Sequence, residues 1–331
     1  MEMSKLIKDI LRPLVFKWRR FIISHQENKI AAKADNAASV PALKRKALLL
    51  SHSLEREMSI PNERRGAGSH RAKELAQVAE ALLSEENSGV PQFELSESVS
   101  VLASWYYWQK ELGLNVEEDY QEIGMLTDEY SKRFGMNPAK SGAILLGVDS
   151  YTLPFDEIEK FISSRRSIRQ FSSRPVSVDT IRRAVELAQR APSACNRQTC
   201  RVYIPIGAAE TVVSNSVRGK RGFENHIHQW AVVTCDRALY LNSEAFQWYL
   251  DGGIFIYSLL LSLHALGVES CVHQWLPMDA GKDVRKSLGI SEFEAICGVI
   301  AFGYPDKETR VLTAQRRQLD DVLKLCGEDG K

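Results

Sequence analysis

Ser164-Arg-Arg-Ser-Ile-Arg-Gln-Phe171 and Ala191-Pro-Ser-Ala-Cys-Asn-Arg-Gln198 are the two polar stretches on which the reading of this chain turns. The first packs three arginines and two serines directly behind a helical pattern over residues 155–164. Arginine and serine together suit a phosphate monoester, because the guanidinium brings charge and a donor fork and the hydroxyl brings another donor. Taken alone, such a run reads better as a solvated basic loop. The second stretch follows a helical pattern over residues 178–190. Pro192 stops that helix, and Ser193, Asn196 and Gln198 then offer short polar donors and acceptors suited to a polar heterocycle. Cys195 lies among them, with no base placed beside it by sequence.

Around these stretches helix and strand signals alternate. Further helices are expected over residues 244–266 and 281–288, and strands over 201–206, 230–234, 269–273 and 295–302. Short strands compatible with antiparallel pairing, interleaved with helices, predict an α+β domain. Asp251-Gly-Gly253 opens the longest apolar helix, which reads as buried almost all round and so as a central or dimer-interface element. Ile296-Cys-Gly-Val-Ile-Ala-Phe-Gly-Tyr-Pro305 reads as a buried strand ending in a turn, and a second basic pair, Arg316-Arg317, follows near the C-terminus.

Residues 42–134 have a different texture, helical with few β-branched runs. Helices are expected over 42–57, from Ser69 as N-cap to about 83, and over 97–112. The last carries Trp105, Tyr106, Tyr107 and Trp108, which read as a packing cluster. Glycines and a proline between residues 135 and 149 mark the boundary, so the expected organisation is a helical N-terminal extension over 1–135 and an α+β domain over 150–327. Residues 1–29 hold seven basic and three acidic residues among large apolar ones. That stretch fits a basic amphipathic helix that covers the protein's own core or rests on a membrane surface or partner. The charges do not precede a clean apolar block as in a secretory signal.

With 331 residues, 44% apolar and 26% charged residues and a formal charge of +1, the composition argues for a soluble protein without a broad nucleic-acid-binding surface. Six cysteines, Cys195, Cys200, Cys235, Cys271, Cys297 and Cys326, form no CxxC pair and read as thiols of a reducing cytoplasm. His226 and His228 lack a third ligand nearby, so no metal site is expected. No GxGxxG follows a strand, since Gly66-Ala-Gly68 lacks the third glycine, and no Rossmann dinucleotide site is expected.

In order and spacing, SRRSIRQF, APSACNRQ, DGG…LLLSLHALGVESC, GVIAFGYP and RRQLDDVL resemble the nitroreductase superfamily of FMN enzymes over residues 155–323. The resemblance implies a central, mainly antiparallel sheet flanked by helices, and a homodimer with FMN at the subunit interface. It places Arg165, Arg166 and Ser167 by the FMN phosphate and ribityl chain, with Arg316 and Arg317 completing the phosphate clamp. Arg169 falls near flavin N1 and the C2 carbonyl, where a cation stabilises reduced flavin. Pro192, Ser193 and Asn196 would reach the flavin from the other subunit, and Gln274 and Trp275 would lie beside N5. His273 reads as structural or substrate-facing. The segment Asn215–Phe223, with Arg218, Lys220 and Arg221, should approach the pyrimidine ring or the substrate. The chain departs from the family at Gln274, where an acidic residue is common, and at Thr199-Cys200, where Pro-Trp is usual. His52-Ser-Leu-Glu55-Arg56 and Arg65-Gly-Ala-Gly68 resemble helical extensions on nitroreductase-like proteins of bacterial polysaccharide loci.

The implied activity is reduction of a small electron-poor substrate, of nitroaromatic or quinone type, by NAD(P)H through flavin N5 in ping-pong fashion. Two alternatives stay open: a flavin-dependent dehydrogenase or dehalogenase acting on a biosynthetic intermediate, and a non-catalytic flavin-binding scaffold.

Overall fold

The computed structural model describes residues 39–60, 64–143, 153–273, 275 and 281–327, with isolated positions before residue 39. The expectation of an amphipathic helix over 1–29 therefore falls almost wholly outside the described residues. Among the described residues no helix is long and apolar enough to cross a membrane.

Among the described residues from 39 on, the N-terminal part contains the helices α1 (Val40–Ser59), α2 (Ser69–Glu85), α3 (Phe93–Glu111), the single turn α4 (Val116–Asp119) and α5 (Gln121–Phe134). Their apolar core is drawn from residues 47–134 and centres on Leu54, Leu75, Leu102, Trp105 and Ile123. Trp105 is fully buried and meets Tyr120 edge-on at 5.0 Å, whereas Tyr107 is exposed. The turn before α2 is built onto that tryptophan. Trp105 Nε1 donates to the Ala67 carbonyl at 2.7 Å, and Gln109 accepts from the Gly66 N–H at 2.6 Å. Ser69 is the first helical residue and not the cap; its hydroxyl donates back to the Gly66 carbonyl at 2.7 Å, and Gly68 occupies the cap position at φ +78°. A side chain there would meet Leu54 Cδ2 at 2.7 Å. The glycine satisfies a left-handed backbone and a close approach at once.

The C-terminal part opens with α6 (Phe155–Ser164) and α7 (Val178–Ala188). Then follow β1 (Cys200–Tyr203), α8 (Ala208–Ser216), β2 (Trp230–Asp236), α9 (Gln247–Ala265), β3 (Glu269–His273), α10 (Gly281–Leu288), β4 (Glu294–Gly303) and a last turn, α11 (Leu319–Val322). The strands form one antiparallel sheet in the order β1-β2-β4-β3, an α+β architecture. Both faces of the two central strands are covered. Ala231, Val233, Ile300 and Phe302 pack under α7 and α9, and Trp230, Val232, Val299 and Ala301 pack under α8 and α10. Double coverage is why β2 and β4 read as continuous apolar runs without alternation. Helix α9 lies close on β4, since a side chain at Gly298 would meet Ile256 Cδ1 at 2.8 Å.

The two parts touch through Arg45 of α1, a buried arginine whose guanidinium donates to the carbonyls of Ala238 at 3.4 Å and Tyr240 at 3.1 Å.

Gly68→Ala should destabilise the protein by about 1–3 kcal/mol, because a strained backbone adds to a steric overlap. Urea unfolding monitored at the tryptophans measures this, and an unchanged midpoint would contradict the packing described for that turn.

Candidate functional site

Polar groups gather at two corners of the sheet. The first lies outside β3. Chain 165–171 runs along that edge strand: Ile168 N–H donates to the Ser270 carbonyl at 3.1 Å, and Ser167 bridges Ser270 in parallel sense. Phe171 anchors the end of the stretch, buried against Gly303, where an added side chain would meet its ring carbons at 3.1 Å. The start is held by a relay in which Ser164 Oγ meets His264 Nε2 at 2.8 Å and His264 Nδ1 meets Glu269 at 2.7 Å. Ile168 turns inward, and Arg165, Ser167 and Arg169 converge on the Cys271 thiol of β3. Burial pushes that thiol up, against the opposing pull of Arg169, Ser167 and Arg165.

The same corner holds His273, the last residue of β3. Its ring lies 5.2 Å from Trp230 and 6.0 Å from Phe223. Burial holds the imidazole below its ordinary range; a hydrogen bond to the Arg218 main chain opposes this, while Arg169 and Lys220 add to it. His273 Nε2 is buried without a partner. The segment Asn215–Phe223 thus meets Arg169 around His273. Among the described residues none of Arg165, Arg166 and Arg169 forms an ion pair with a carboxylate. A cluster of like charges without counter-ions, beside a buried unpaired nitrogen, is a receptive setting for an anion carrying hydrogen-bonding atoms.

Trp275 follows at half-buried depth, packed near Gly281 at the start of α10. Gln274 lies outside the described residues. Arg316 and Arg317 sit in an exposed segment, where Arg316 bonds its neighbour's carbonyl at Ala314, and no bond or ion pair among the described residues ties them to Arg165.

The second corner is the loop into β1. Cys195, Asn196 and Gln198 have φ of 52°, 50° and 51°. Left-handed backbone is uncommon for residues with side chains and persists where the surroundings enforce it. Here Asp251 of α9, itself buried, accepts from Ala194 N–H at 3.0 Å, Tyr240 hydroxyl at 2.7 Å and Gln247 at 3.0 Å. Arg197 forks onto Glu244 at 2.8 and 2.5 Å and donates to the Leu239 carbonyl at 3.1 Å. Ser193 Oγ accepts from Gln198 N–H at 3.0 Å, and Pro192 and Asn196 are exposed. Pro192, Ser193, Gln198, Cys200 and Asp251 line a small cleft of about 30 Å³. Sequence marks Asp251 only as part of Asp251-Gly-Gly253 and Arg197 only within the Ala191–Gln198 stretch, and it gives Glu244 no role; an acid inside an otherwise apolar helix is the available signal.

The corners are diagonally opposed. One lies where β1 begins, opposite Cys235 and Ala295; the other flanks β3 where Ser270 pairs with Phe302. Strand rise and ladder spacing put them about 30 Å apart.

Because the folded protein favours neutral His273, its stabilising contribution is present above about pH 6.5 and is lost as pH falls through the lower folded value. His273→Gln should therefore flatten the decline in urea midpoint between about pH 7.5 and about pH 5.5. Parallel slopes in variant and parent would contradict the buried environment of this ring.

A model described as "Nitroreductase family" matches residues 162–233 and 226–304. Among curated proteins, one of Archaeoglobus fulgidus with the provisional name NADH dehydrogenase/NAD(P)H nitroreductase is 29% identical, the match covering 49% of this chain and 93% of that protein. Nitroreductase NfnB of Mycolicibacterium smegmatis is 24% identical, with 46% of this chain and 85% of that protein covered. Among solved structures, a nitroreductase-family protein of Desulfovibrio desulfuricans in complex with FMN superposes with a TM-score of 0.45 at 21% identity, covering 51% of this chain and 96% of that one. A protein of Parabacteroides distasonis gives 0.45 at 24% identity, covering 52% and 98%. The similarity to the nitroreductase family thus spans residues 162–304 of this chain.

Proposed function

We propose that this protein is an FMN-dependent oxidoreductase that takes reducing equivalents from NAD(P)H and passes them to a small electron-poor acceptor of nitroaromatic or quinone type. The observation that carries the reading is the β3 corner, where Arg165, Ser167 and Arg169 converge without a carboxylate partner and His273 Nε2 is buried unpaired. Those residues fit FMN: guanidinium and hydroxyl donors suit its phosphate and ribityl chain, and a cation suits the pyrimidine edge. The names of the relatives, which pair NAD(P)H with nitroreductase activity, point the same way.

FMN, when bound, supplies the hydride-accepting N5. The chain's own work is positioning and electrostatics. Arg165 and Ser167 hold the phosphate end, with Arg166 behind them. Arg169 offsets negative charge at the pyrimidine edge, favouring the reduced state. Trp275 follows β3 at this corner, and His273 offers its free nitrogen to ligand or substrate.

The distance between the corners supports a homodimer. Pro192, Ser193 and Asn196 lie too far from their own chain's Arg165 to share its ligand, so they serve the ligand of a second copy. An apolar surface suits that association. Leu250 and Tyr257 of α9 and Phe155 of α6 are exposed, as are Leu312, Leu319 and Leu325 of the C-terminal segment, which brings Arg316 and Arg317 with it. Exposed apolar area on this scale favours burial against a partner.

One contact favours a role for the helical part, residues 1–135, in shaping the site of the domain over 150–327. Arg45 bonds the carbonyls at 238 and 240, and its charge also helps lower the acid range of Glu244, the residue gripping Arg197 in the second-corner loop.

Purified protein should show flavin absorption that NADH or NADPH bleaches under anaerobic conditions. Arg165→Ala should weaken FMN binding by a factor of about 10–100, the worth of one charge-assisted hydrogen bond. A colourless protein that fails to take up added FMN would sink the proposal.

A further inference from the structure

Three thiols meet beneath the second-corner cleft, and the flavin reading uses none of them. Cys200 of β1 and Cys235 of β2 are direct partners in the antiparallel ladder. The ladder bond beside them runs from Asp236 N–H to the Thr199 carbonyl at 3.1 Å, outside the pair. The two cysteines therefore occupy a non-hydrogen-bonded position, where opposed Cα atoms stand about 4.5 Å apart. A disulfide bridges Cα separations of about 4.4–6.8 Å, so this register admits one without backbone movement. The sulfurs already stand 3.0 Å apart. Cys200 lines the cleft with Ser193, Gln198 and Asp251, whereas Cys235 is fully buried.

We propose that Cys200 and Cys235 are a redox pair that closes to an intrachain disulfide when a hydroperoxide enters the cleft. The inference rests on ladder register and access alone and holds whether or not the chain binds FMN.

The third thiol sharpens the assignment. Cys297 of β4 sits at the bulge where pairing shifts between Val233 and Thr234, so it faces Cys235 diagonally. Its thiol donates toward the Trp248 carbonyl at 3.6 Å, and α9 closes over it at Gly252, where a side chain would meet the sulfur at 2.5 Å. Hydrogen bonds from Cys200 and Cys297 draw the Cys235 thiol down to about 5. The hydrogen bond to Cys235 and burial push the Cys200 thiol up, so the shared proton rests on Cys200 and must pass inward to Cys235 before the cleft-facing sulfur can attack.

The step balances as follows. The Cys200 thiolate attacks one peroxide oxygen, the O–O bond breaks, and the leaving hydroxide takes a proton to give one water and Cys200 sulfenic acid. Cys235 sulfur then attacks Cys200 sulfur, the S–O bond breaks, and a second water leaves with the Cys235 proton. Two thiols are oxidised by two electrons, and one peroxide is reduced to two waters. The short Cα separation lies at the strained end of the disulfide range, which makes the bond reversible by thiols.

The test uses the whole protein. Hydrogen peroxide is added, remaining thiols are blocked with N-ethylmaleimide, and a digest prepared without reductant is examined by mass spectrometry. The expected result is loss of two alkylatable thiols per chain and a cross-linked peptide pair joining Cys200 to Cys235. That pair should be two hydrogens lighter than its reduced parts, should separate with dithiothreitol, and should still form in Cys297→Ser. Recovery of Cys200 and Cys235 both alkylated after oxidation would overturn the proposal. So would Cys200 trapped as sulfinic acid, or a cross-link from Cys235 to Cys297 in its place.

Discussion

Burial of both faces of β2 and β4 is the constraint on which the rest of this structure depends. Helices α7 and α9 press on one face and α8 and α10 on the other, leaving no exposed sheet surface at the centre for a polar ligand. Close packing of this kind tolerates little: Gly298 and Gly252 are where α9 comes nearest the sheet, and a methyl group at either position would overlap a side chain. Polar chemistry is consequently displaced to the edges, beside β3 and at the entry to β1. The sheet is the ruler that sets the distance between them.

The two corners differ in how they are held. The loop into β1 is over-determined, with its left-handed residues fixed by Asp251 below and the Arg197–Glu244 pair behind, so its shape exists before any ligand arrives. Removing Asp251 would strand a backbone N–H and a tyrosine hydroxyl, and burial makes such loss costly. The β3 corner is under-compensated. Arg169 and Lys220 both act on His273, and among the described residues no carboxylate pairs with Arg165, Arg166 or Arg169, so an anion bound there would relieve repulsion. Preorganisation at one corner and unmet charge at the other are the complementary halves that the proposed two-chain site requires.

Much of this was legible in the sequence because the relevant signals are local. The apolar runs at 230–236 and 294–303, the helix from Val178 and the basic stretch 164–171 each announce themselves within ten residues or so. The helix over 121–134 also carries a local signal, with Ile123, Leu126 and Tyr130 at helical spacing, but it went unread beside its polar neighbours. Strand β1 is only four residues long, and the expected extension to 206 fails where the pairing with β2 ends at Tyr203. What sequence could not express is convergence. Nothing in the spacing of Arg169, Lys220 and His273 says that they meet, because their proximity is made by the β3 ladder and the chain laid beside it. The partnership of Cys200 with Cys235 likewise exists only through register. Arg316 and Arg317 lie in an exposed segment, and no contact in the described residues ties them to the β3 corner.

The central claim is that one ligand site is built from the β3 corner of one chain and the 192–196 loop of another. Mixed dimers test it directly. Chains carrying Arg165→Ala with Arg169→Ala are combined with chains carrying Ser193→Ala with Asn196→Gly, each set alone being deficient in FMN binding. In a mixed dimer one site collects every substitution and the other none. The account predicts that mixing restores one intact FMN site per heterodimer, with parental affinity. If mixing restores no binding, each site lies within a single chain, and the account is wrong.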